Sequence, residues 1–402
     1  MRISTSQIYT QGADAIARAQ SELFANQQRI AAGKRMLNPA DDPVASAEVV
    51  VVGQSRARVE RFAANIVTAN ESLATNDSIL GDVGDLLIDL RTLAVNAGSG
   101  ALSAADRAGI ATELQGRLDQ LVGLANSRGA DGGYLFSGFA VATQPFALTG
   151  GSYVYNGDQG TRAIGVADGR ELEVSLPGEA LFNAIRTGNG TFLASAAAGN
   201  TGTGTLDGGS VVDAALIDGH RYQLSFSVVA GTTTYDVTDL TTSTTVSTGN
   251  AYTPGSAVTV AGMQVRIAGN PVSGDAITLE PAPRQSVFKT VQDLVAALRA
   301  PSATPAERAK LANGIGTALQ NLTQAQEAVL TARAGLGARM RELDSLAAGN
   351  GARLVQYEST LSRLSDLDYS KALSDFARQQ LALEASQKSF LQVSGLSLFR
   401  YL

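Results

Sequence analysis

The chain has 402 residues, of which 44% are hydrophobic and 5% aromatic, with a formal net charge of −6 and neither cysteine nor tryptophan. An acidic chain of this kind lacks the basic face that displaces counterions from nucleic acid, so nucleic-acid binding is not expected. Without cysteine there is no disulfide, no thiol catalysis and no Cys-ligated metal, and with few aromatics the core is expected to be aliphatic and alanine-based, which suits closely spaced helices.

At the N-terminus, Met1-Arg2-Ile3-Ser4-Thr5-Ser6-Gln7 has no basic segment followed by an apolar one, so no cleavable secretory peptide is expected. No later apolar run approaches the ~18–20 residues that span a bilayer, so membrane insertion is not expected either. Helix is predicted over about 4–33, where Ile16, Leu23 and Ile30 recur at heptad spacing, with Gly33 as the stop. Asp42 then caps a second helix that has Pro43 at its first position, where the missing N–H costs nothing. That helix is predicted to run to about residue 96, carrying Leu73, Leu80, Leu87 and Leu90 on one stripe, a rod of roughly 80 Å at 1.5 Å per residue. Gly98-Ser99-Gly100 ends it, and Ser103 with Asp106 forms a capping-box pattern for a third, antiparallel helix to about residue 128.

Beyond that point the period changes. Residues 134–139 and 153–155 read as short strands, and the Gly-, Thr- and Asn-rich stretch 188–209 reads as a mobile surface loop. Alternation through Tyr222, Leu224, Phe226 and Val228, then Tyr235 and Val237, Val258 and Val260, Met263, Val265 and Ile267, and Ile277 and Leu279 predicts a small antiparallel β domain over about 150–283. Helix resumes at Ser286. Thr304 as cap, Pro305 at the first position and Glu307 start a long helix to about residue 366. Its Gly335, Gly337, Gly349 and Gly351 each cost about 1 kcal/mol in an isolated helix, so close packing or bending is expected there. A last helix over about 369–396 repeats Phe376, Leu383 and Phe390 at heptad spacing. Its other row, Leu373, Gln380, Gln387 and Ser394, is half polar and too weak for a free coiled coil.

Sites for chemistry are sparse. His220 is the single histidine and has no nucleophile or metal-ligand constellation around it, so a surface or strand-edge role is expected. Asp41-Asp42 and Asp366/Asp368 abut helix starts and read as capping or turn residues rather than a carboxylate pair for catalysis. No Gly-Lys-Ser/Thr follows the glycines of 199–209, so they do not read as a phosphate loop. No enzyme, no cofactor and no metal site is expected. The narrow stripes of the two terminal helices, Ile16, Leu23 and Ile30 at one end and Leu373, Phe376, Leu383, Phe390, Leu396 and Leu398 at the other, are expected to pack between copies of the chain.

Several motifs in order, Met1-Arg2-Ile3-Ser4-Thr5, Gln28-Arg29-Ile30-Ala31-Ala32-Gly33-Lys34-Arg35, Asn38-Pro39-Ala40-Asp41-Asp42-Pro43, Gly133-Tyr134-Leu135-Phe136-Ser137-Gly138, Leu364-Ser365-Asp366-Leu367-Asp368-Tyr369 and Gly395-Leu396-Ser397-Leu398-Phe399, make the chain resemble the bacterial flagellin family. The resemblance covers about the first 150 and last 120 residues. The opening Arg2-Ile3-Ser4-Thr5 and the link Ala40-Asp41-Asp42-Pro43-Val44 depart from filament flagellin and favour a hook-associated member. The resemblance implies a mainly α fold with an inserted β domain: an elongated flagellin-like helical rod whose N- and C-terminal helices pack together and which carries a small antiparallel β domain. Residues 1–40 and 367–402 would form an inner assembly domain, 41–149 and 284–366 the helical rod, and 150–283 an outer β-rich domain. It further implies an extracellular structural subunit at the hook–filament junction, exported by the flagellar type III pathway. Its partners would be itself in a ring or tube, the preceding hook-associated protein, flagellin, and an export chaperone on the C-terminal helix. Filament flagellin, an adhesive outer β domain and a hydrolase within that domain are the rival readings.

Overall fold

The structure, a computed structural model, describes residues 5–395; the expectations for Leu396 and Leu398 lie outside them. Its helices are α1 (Thr5–Ala32), α2 (Pro43–Ala97), α3 (Ala104–Ala125), α4 (Val287–Arg299), α5 (Pro305–Ser365) and α6 (Tyr369–Gly395). Their starts are fixed by side chains that accept the first unpaired backbone N–H groups. Asp42 Oδ1 accepts from Ala45 (3.1 Å), Ser286 Oγ from Lys289 (3.1 Å) and Asp368 Oδ1 from Lys371 (3.1 Å). Ser103 with Asp106, and Thr304 with Glu307, make reciprocal boxes: the Asp106 N–H donates to Ser103 Oγ (3.2 Å) and the Ser103 N–H to Asp106 Oδ2 (3.0 Å). The Glu307 N–H likewise donates to Thr304 Oγ1 (3.2 Å) and the Thr304 N–H to Glu307 Oε2 (2.8 Å).

The chain forms two compact units, one of residues 67–344 and one of residues 1–66 with 345–402. In the first, Leu73, Leu80, Leu87 and Leu90 of α2, Leu114, Leu118 and Leu121 of α3 and Leu322, Val329 and Leu336 of α5 are buried, an aliphatic core of the kind the composition requires. Arg333 of α5 holds Asp77 of α2 with Nε 2.9 Å from Oδ1. Phe288 on α4 closes an aromatic cluster with Phe146, Tyr153 and Phe182, at centroid separations of 5.0, 5.2 and 6.1 Å.

Short antiparallel hairpins flank this core: β1 (Phe146–Thr149) with β2 (Ser152–Tyr155), β3 (Ala163–Ala167) with β4 (Arg170–Glu173), and β5 (Ile185–Arg186) with β15 (Arg284–Gln285). Between them lie β6 (Phe192–Ala196), β7 (Thr205–Leu206), β8 (Ser210–Val211), β9 (Tyr222–Val229), β10 (Thr232–Asp239), β11 (Thr244–Ala251), β12 (Ala257–Val260), β13 (Met263–Ala268) and β14 (Ala276–Pro281). One sheet has the order β11-β10-β9-β14-β6; β12, β7 and β8 all pair with β13 in a second. Tyr222, Leu224 and Phe226 of β9 and Met263, Val265 and Ile267 of β13 are buried on alternate positions, and together they make the β core with Ile277 and Leu279.

Two expectations are corrected. Residues 134–139 form turns, not a strand; outside the named strands they pair only through a single bridge between Arg128 and Tyr134. The turn is imposed by Asp158, whose Oδ1 accepts the N–H of Phe139 (2.9 Å) and of Gly160 (2.8 Å) beside Gly138 at φ +73°. Residues 188–209 are not a free loop but a strap that contains β6 and β7 and buries Phe192. A polar stripe on α5 seizes its backbone. Lys310 Nζ donates to Ala198 O (2.8 Å), Asn313 accepts from Leu206 N (2.9 Å) and donates to Gly204 O (3.0 Å), and Asn321 Oδ1 accepts from Gly188 N (2.8 Å). Glycine is needed at several points of the strap: a Cβ on Gly190 would lie 2.8 Å from the Gln324 amide oxygen, one on Gly188 2.3 Å from Phe192 O, and one on Gly202 2.4 Å from the Asp275 carboxylate. Of the two alternatives expected at Gly335, Gly337, Gly349 and Gly351, close packing or bending, the first does not hold among the described residues, since a Cβ at any of them would meet nothing within 4 Å.

Replacing Asn321 by alanine leaves the buried Gly188 N–H without an acceptor. We expect a loss of about 1–3 kcal/mol in denaturant unfolding and faster hydrogen exchange across residues 188–208. Exchange at the parent rate would show that the stripe does not hold the strap.

Candidate assembly surface

In the unit of residues 1–66 and 345–402, α1 and α6 run antiparallel. Asn26, buried, donates from Nδ2 to Ala372 O (3.3 Å) and to Gln379 Oε1 (3.1 Å). Two heptads away, Gly12 lies under the Phe390 ring, which also meets Tyr9 edge-on at 6.0 Å between centroids. At the other end the two interhelical links pair as a short antiparallel bridge: Arg35 N donates to Ser365 O (2.9 Å) and Leu367 N to Gly33 O (3.1 Å). Lys34 Nζ sits 2.8 Å from Asp366 Oδ1, and this hydrogen bond holds the Asp366 carboxyl below its ordinary value. Asp41 accepts the N–H groups of Leu37 (2.9 Å) and Asn38 (3.2 Å), which lower its pKa in the same direction, the Leu37 bond most. Asp42 bonds Arg35 (3.2 Å) as well as capping α2. The link Gly33–Asp42 is therefore a fixed joint built from its own carboxylates.

The structure brings Ile16, Leu23 and Ile30 of α1 and Phe376, Leu383 and Phe390 of α6 to half-buried positions, while Leu373 is 54% exposed. The heptad rows thus line the α1–α6 seam of a single chain. What they leave uncovered is a second set. Phe24 (60%), Leu381 (70%) and Leu391 (68%) face outward on the same two helices, as do Val44, Val50 and Val51 at the start of α2 and Val355 on α5. Among the described residues of this unit, the buried apolar side chains are Ala45, Val59, Ile66 and Ala372. Of these exposed residues the reading of the terminal stripes singles out Leu373 alone and passes over Phe24, Leu381 and Leu391. The signal was present in Val49–Val52, a run that encircles a helix and can be covered only by neighbours on more than one side.

Terminal helices that pair with each other, a chain order in which a β domain is inserted between helical segments, and exposed apolar side chains on the terminal helices define the class: a mainly helical chain of the flagellin type. The family model for the bacterial flagellin N-terminal helical region matches residues 3–140. Flagellar hook-associated protein 3 of Salmonella typhimurium is 27% identical over 402 residues, 100% of this chain and 99% of that protein. FlgL of Xanthomonas campestris is similar in structure, with a TM-score of 0.72 at 34% identity over 77% of this chain and 99% of that one. The flagellar junction protein FlgL of Legionella pneumophila has a TM-score of 0.72 at 31% identity over 79% and 100%. The chain belongs to the FlgL family of flagellar hook-associated proteins.

Among the described residues no helix is long and apolar enough to cross a membrane, and no group of three or more His, Asp or Glu side chains is placed to hold a metal. His220 lies just before β9 with Nδ1 2.8 Å from Asp239 Oδ2 and 3.7 Å from Asp218 Oδ2. Leu240 N donates to Arg221 O (2.7 Å) alongside, so the cluster clasps the start of β9 to the end of β10. The Asp239 hydrogen bond raises the His220 pKa above its ordinary 6.5. Burial alone would raise Asp239, but hydrogen bonds from Thr242, His220 and the Thr241 and Thr242 N–H groups outweigh it and bring it down to about 2.

The signs follow from these directions. His220 stabilises the fold fully below pH 6.5, and the gain is lost as pH rises through its raised folded pKa. Asp239 stabilises above pH 3.8, and that gain is lost as pH falls through about 2. The clasp is therefore strongest between pH 3.8 and 6.5. His220→Gln should flatten the alkaline limb of a Tm-versus-pH curve and leave the acid limb in place. An unchanged alkaline limb would remove His220 from the account.

Proposed function

We propose that the chain is a structural subunit of the hook–filament junction of the bacterial flagellum, and that it assembles with copies of itself into a ring or tube through its terminal helices. The observation that carries this reading is the imbalance in the unit of residues 1–66 and 345–402. Phe24, Val44, Val50, Val51, Val355, Leu373, Leu381 and Leu391 are exposed there, against the few small apolar residues that are buried. Covering one such side chain contributes about 1.5–3 kcal/mol, and among the described residues of this unit they stay exposed. Further copies of the same surface supply the missing faces.

In this reading residues 1–40 and 367–402 make the inner assembly domain, 41–149 with 284–366 the helical wall, and 150–283 the outer β-rich domain. One side of the ring meets the preceding hook-associated protein and the other meets flagellin. The subunit reaches the extracellular flagellum by the flagellar type III route, escorted by an export chaperone on α6. A chain without cysteine, and so without disulfides, can pass such a channel unfolded and regain its structure by packing. The closest rival, filament flagellin, is disfavoured by the similarity to hook-associated proteins over nearly the whole chain.

A strain lacking the protein should carry intact hooks and shed flagellin into the medium; a normal filament on those hooks would refute the junction role. Phe24→Glu with Leu381→Glu changes two exposed positions, so the stability of the lone chain should shift by no more than about 0.5 kcal/mol each. The same pair should abolish self-association in sedimentation velocity and fail to restore motility. Full complementation by the double variant would place the assembly surface elsewhere. Residues 1–35 and 370–402 are expected to resist proteolysis in the polymer and to be cut in the free chain.

A further inference from the structure

The larger sheet has β11 and β6 as its outer strands, and their free edges differ. β11 is bulged against β10, with breaks in register beside Tyr235 and Val237, and such bulges turn an edge away from further pairing. β6 pairs with β14 without a break, from Phe192 opposite Pro281 to Ala196 opposite Ile277, and it carries neither proline nor charge. Along an antiparallel pair, residues that exchange hydrogen bonds alternate with residues that do not. Ala197 N donates to Ala276 O (3.0 Å) and Ala282 N to Thr191 O (2.9 Å), so it is the odd-numbered residues of β6 that bond β14. The N–H and C=O groups of Ala194 and Ala196 therefore point away from the sheet, and among the described residues nothing donates to them or accepts from them. Ala194 is 8% exposed, and an amide so far removed from bulk water needs a partner.

These groups open into a slot of about 370 Å³ between β6 and α5. The slot is held at both ends. Asn321 Oδ1 accepts from Gly188 N (2.8 Å) before β6, and Lys310 Nζ donates to Ala198 O (2.8 Å) after it, while the strand between makes no hydrogen bond to the helix. On the helix wall, the Thr317 hydroxyl, the Gln320 amide and Asn321 Nδ2 have no hydrogen-bond partner among the described residues. The charged groups of the lining are already engaged. Asp293 is paired with Lys289 Nζ (2.8 Å), Asp207 accepts from Gly209 N (3.0 Å) and Arg266 N (2.9 Å), and Lys310 holds Ala198.

An open strand edge that faces a helix across a gap is the geometry in which an extended peptide adds as a further strand, its backbone supplying the hydrogen bonds. We propose that the slot between β6 and α5 is a binding site for an extended peptide with small, uncharged side chains. One edge of the peptide backbone pairs with the N–H and C=O groups of Ala194 and Ala196. Its other edge meets Thr317, Gln320 and Asn321, and Gly314 and Ala318 beside them keep that wall low. The site uses no residue of the assembly surface and stands whether or not that reading is right.

The test uses the isotope-labelled full chain. Without ligand, the Ala194 and Ala196 amides should exchange with solvent at least about a hundredfold faster than those of Leu193 and Ser195, which bond β14. Equal protection would show a partner within the chain and overturn the open edge. A capped pentapeptide of alternating alanine and threonine should then move the Ala194 and Ala196 amide resonances saturably at millimolar concentration, and the same peptide N-methylated at every residue should not. Ala194→Pro removes an edge N–H that β14 does not use, and it should weaken binding at least about tenfold. Thr317→Leu, which fills the slot from the helix side and leaves the strand untouched, should do the same. No saturable shift in the parent chain, or equal binding by the parent and both variants, would overturn the proposal and leave the slot to water.

Discussion

Two helices laid side by side can each bury one stripe, and no more. That geometric limit governs the termini of this chain. A helix of this kind needs an apolar face of at least ~100° covered before packing outweighs the entropy of ordering it. The α1–α6 pair covers the narrow seam around Asn26, Gly12 and Phe390 and leaves Phe24, Leu373, Leu381 and Leu391 outside. In α2 the consecutive valines 49–52 point around the whole circumference, so no single neighbour can satisfy them. The unit of residues 67–344 is under no such limit: Leu73, Leu87, Leu118, Phe288 and Leu322, on α2, α3, α4 and α5, are fully buried in it. The same α2 thus has a satisfied segment and an unsatisfied one.

The β domain is attached on a different principle. The strap over 188–208 is bonded to α5 through its backbone, by the Lys310 ammonium and the Asn313 and Asn321 amides. Bonds of this type are specific in geometry yet indifferent to the strap's own side chains, provided that these are small. A tract that looks featureless by composition is therefore constrained at the backbone.

Much of the fold could be read before any coordinates. Helix starts were legible because Asp42-Pro43, Ser103 with Asp106, and Thr304-Pro305 with Glu307 are local signals that act over three or four residues. The strands around Leu224, Val265 and Ile277 were legible because each is buried on one face and alternates. β11 was not, because Thr244–Ala251 is an edge strand almost wholly exposed and carries no alternation. The turn at 134–139 was misread for a related reason: its Tyr, Leu and Phe favour strands, but a carboxylate from Asp158 overrides the propensity. At the termini the heptad rows were visible, whereas their partner was not. Periodicity reports that a stripe exists and is silent on whether the same chain or another one covers it.

That ambiguity has a thermodynamic counterpart. For a self-contained helix pair, stability is a property of the chain and is independent of its concentration. Where the outer faces are covered only by other copies, part of the free energy of ordering α1 and α6 comes from association, and it grows with the logarithm of subunit concentration. A seam as narrow as the one around Asn26, Gly12 and Phe390 suits such a part.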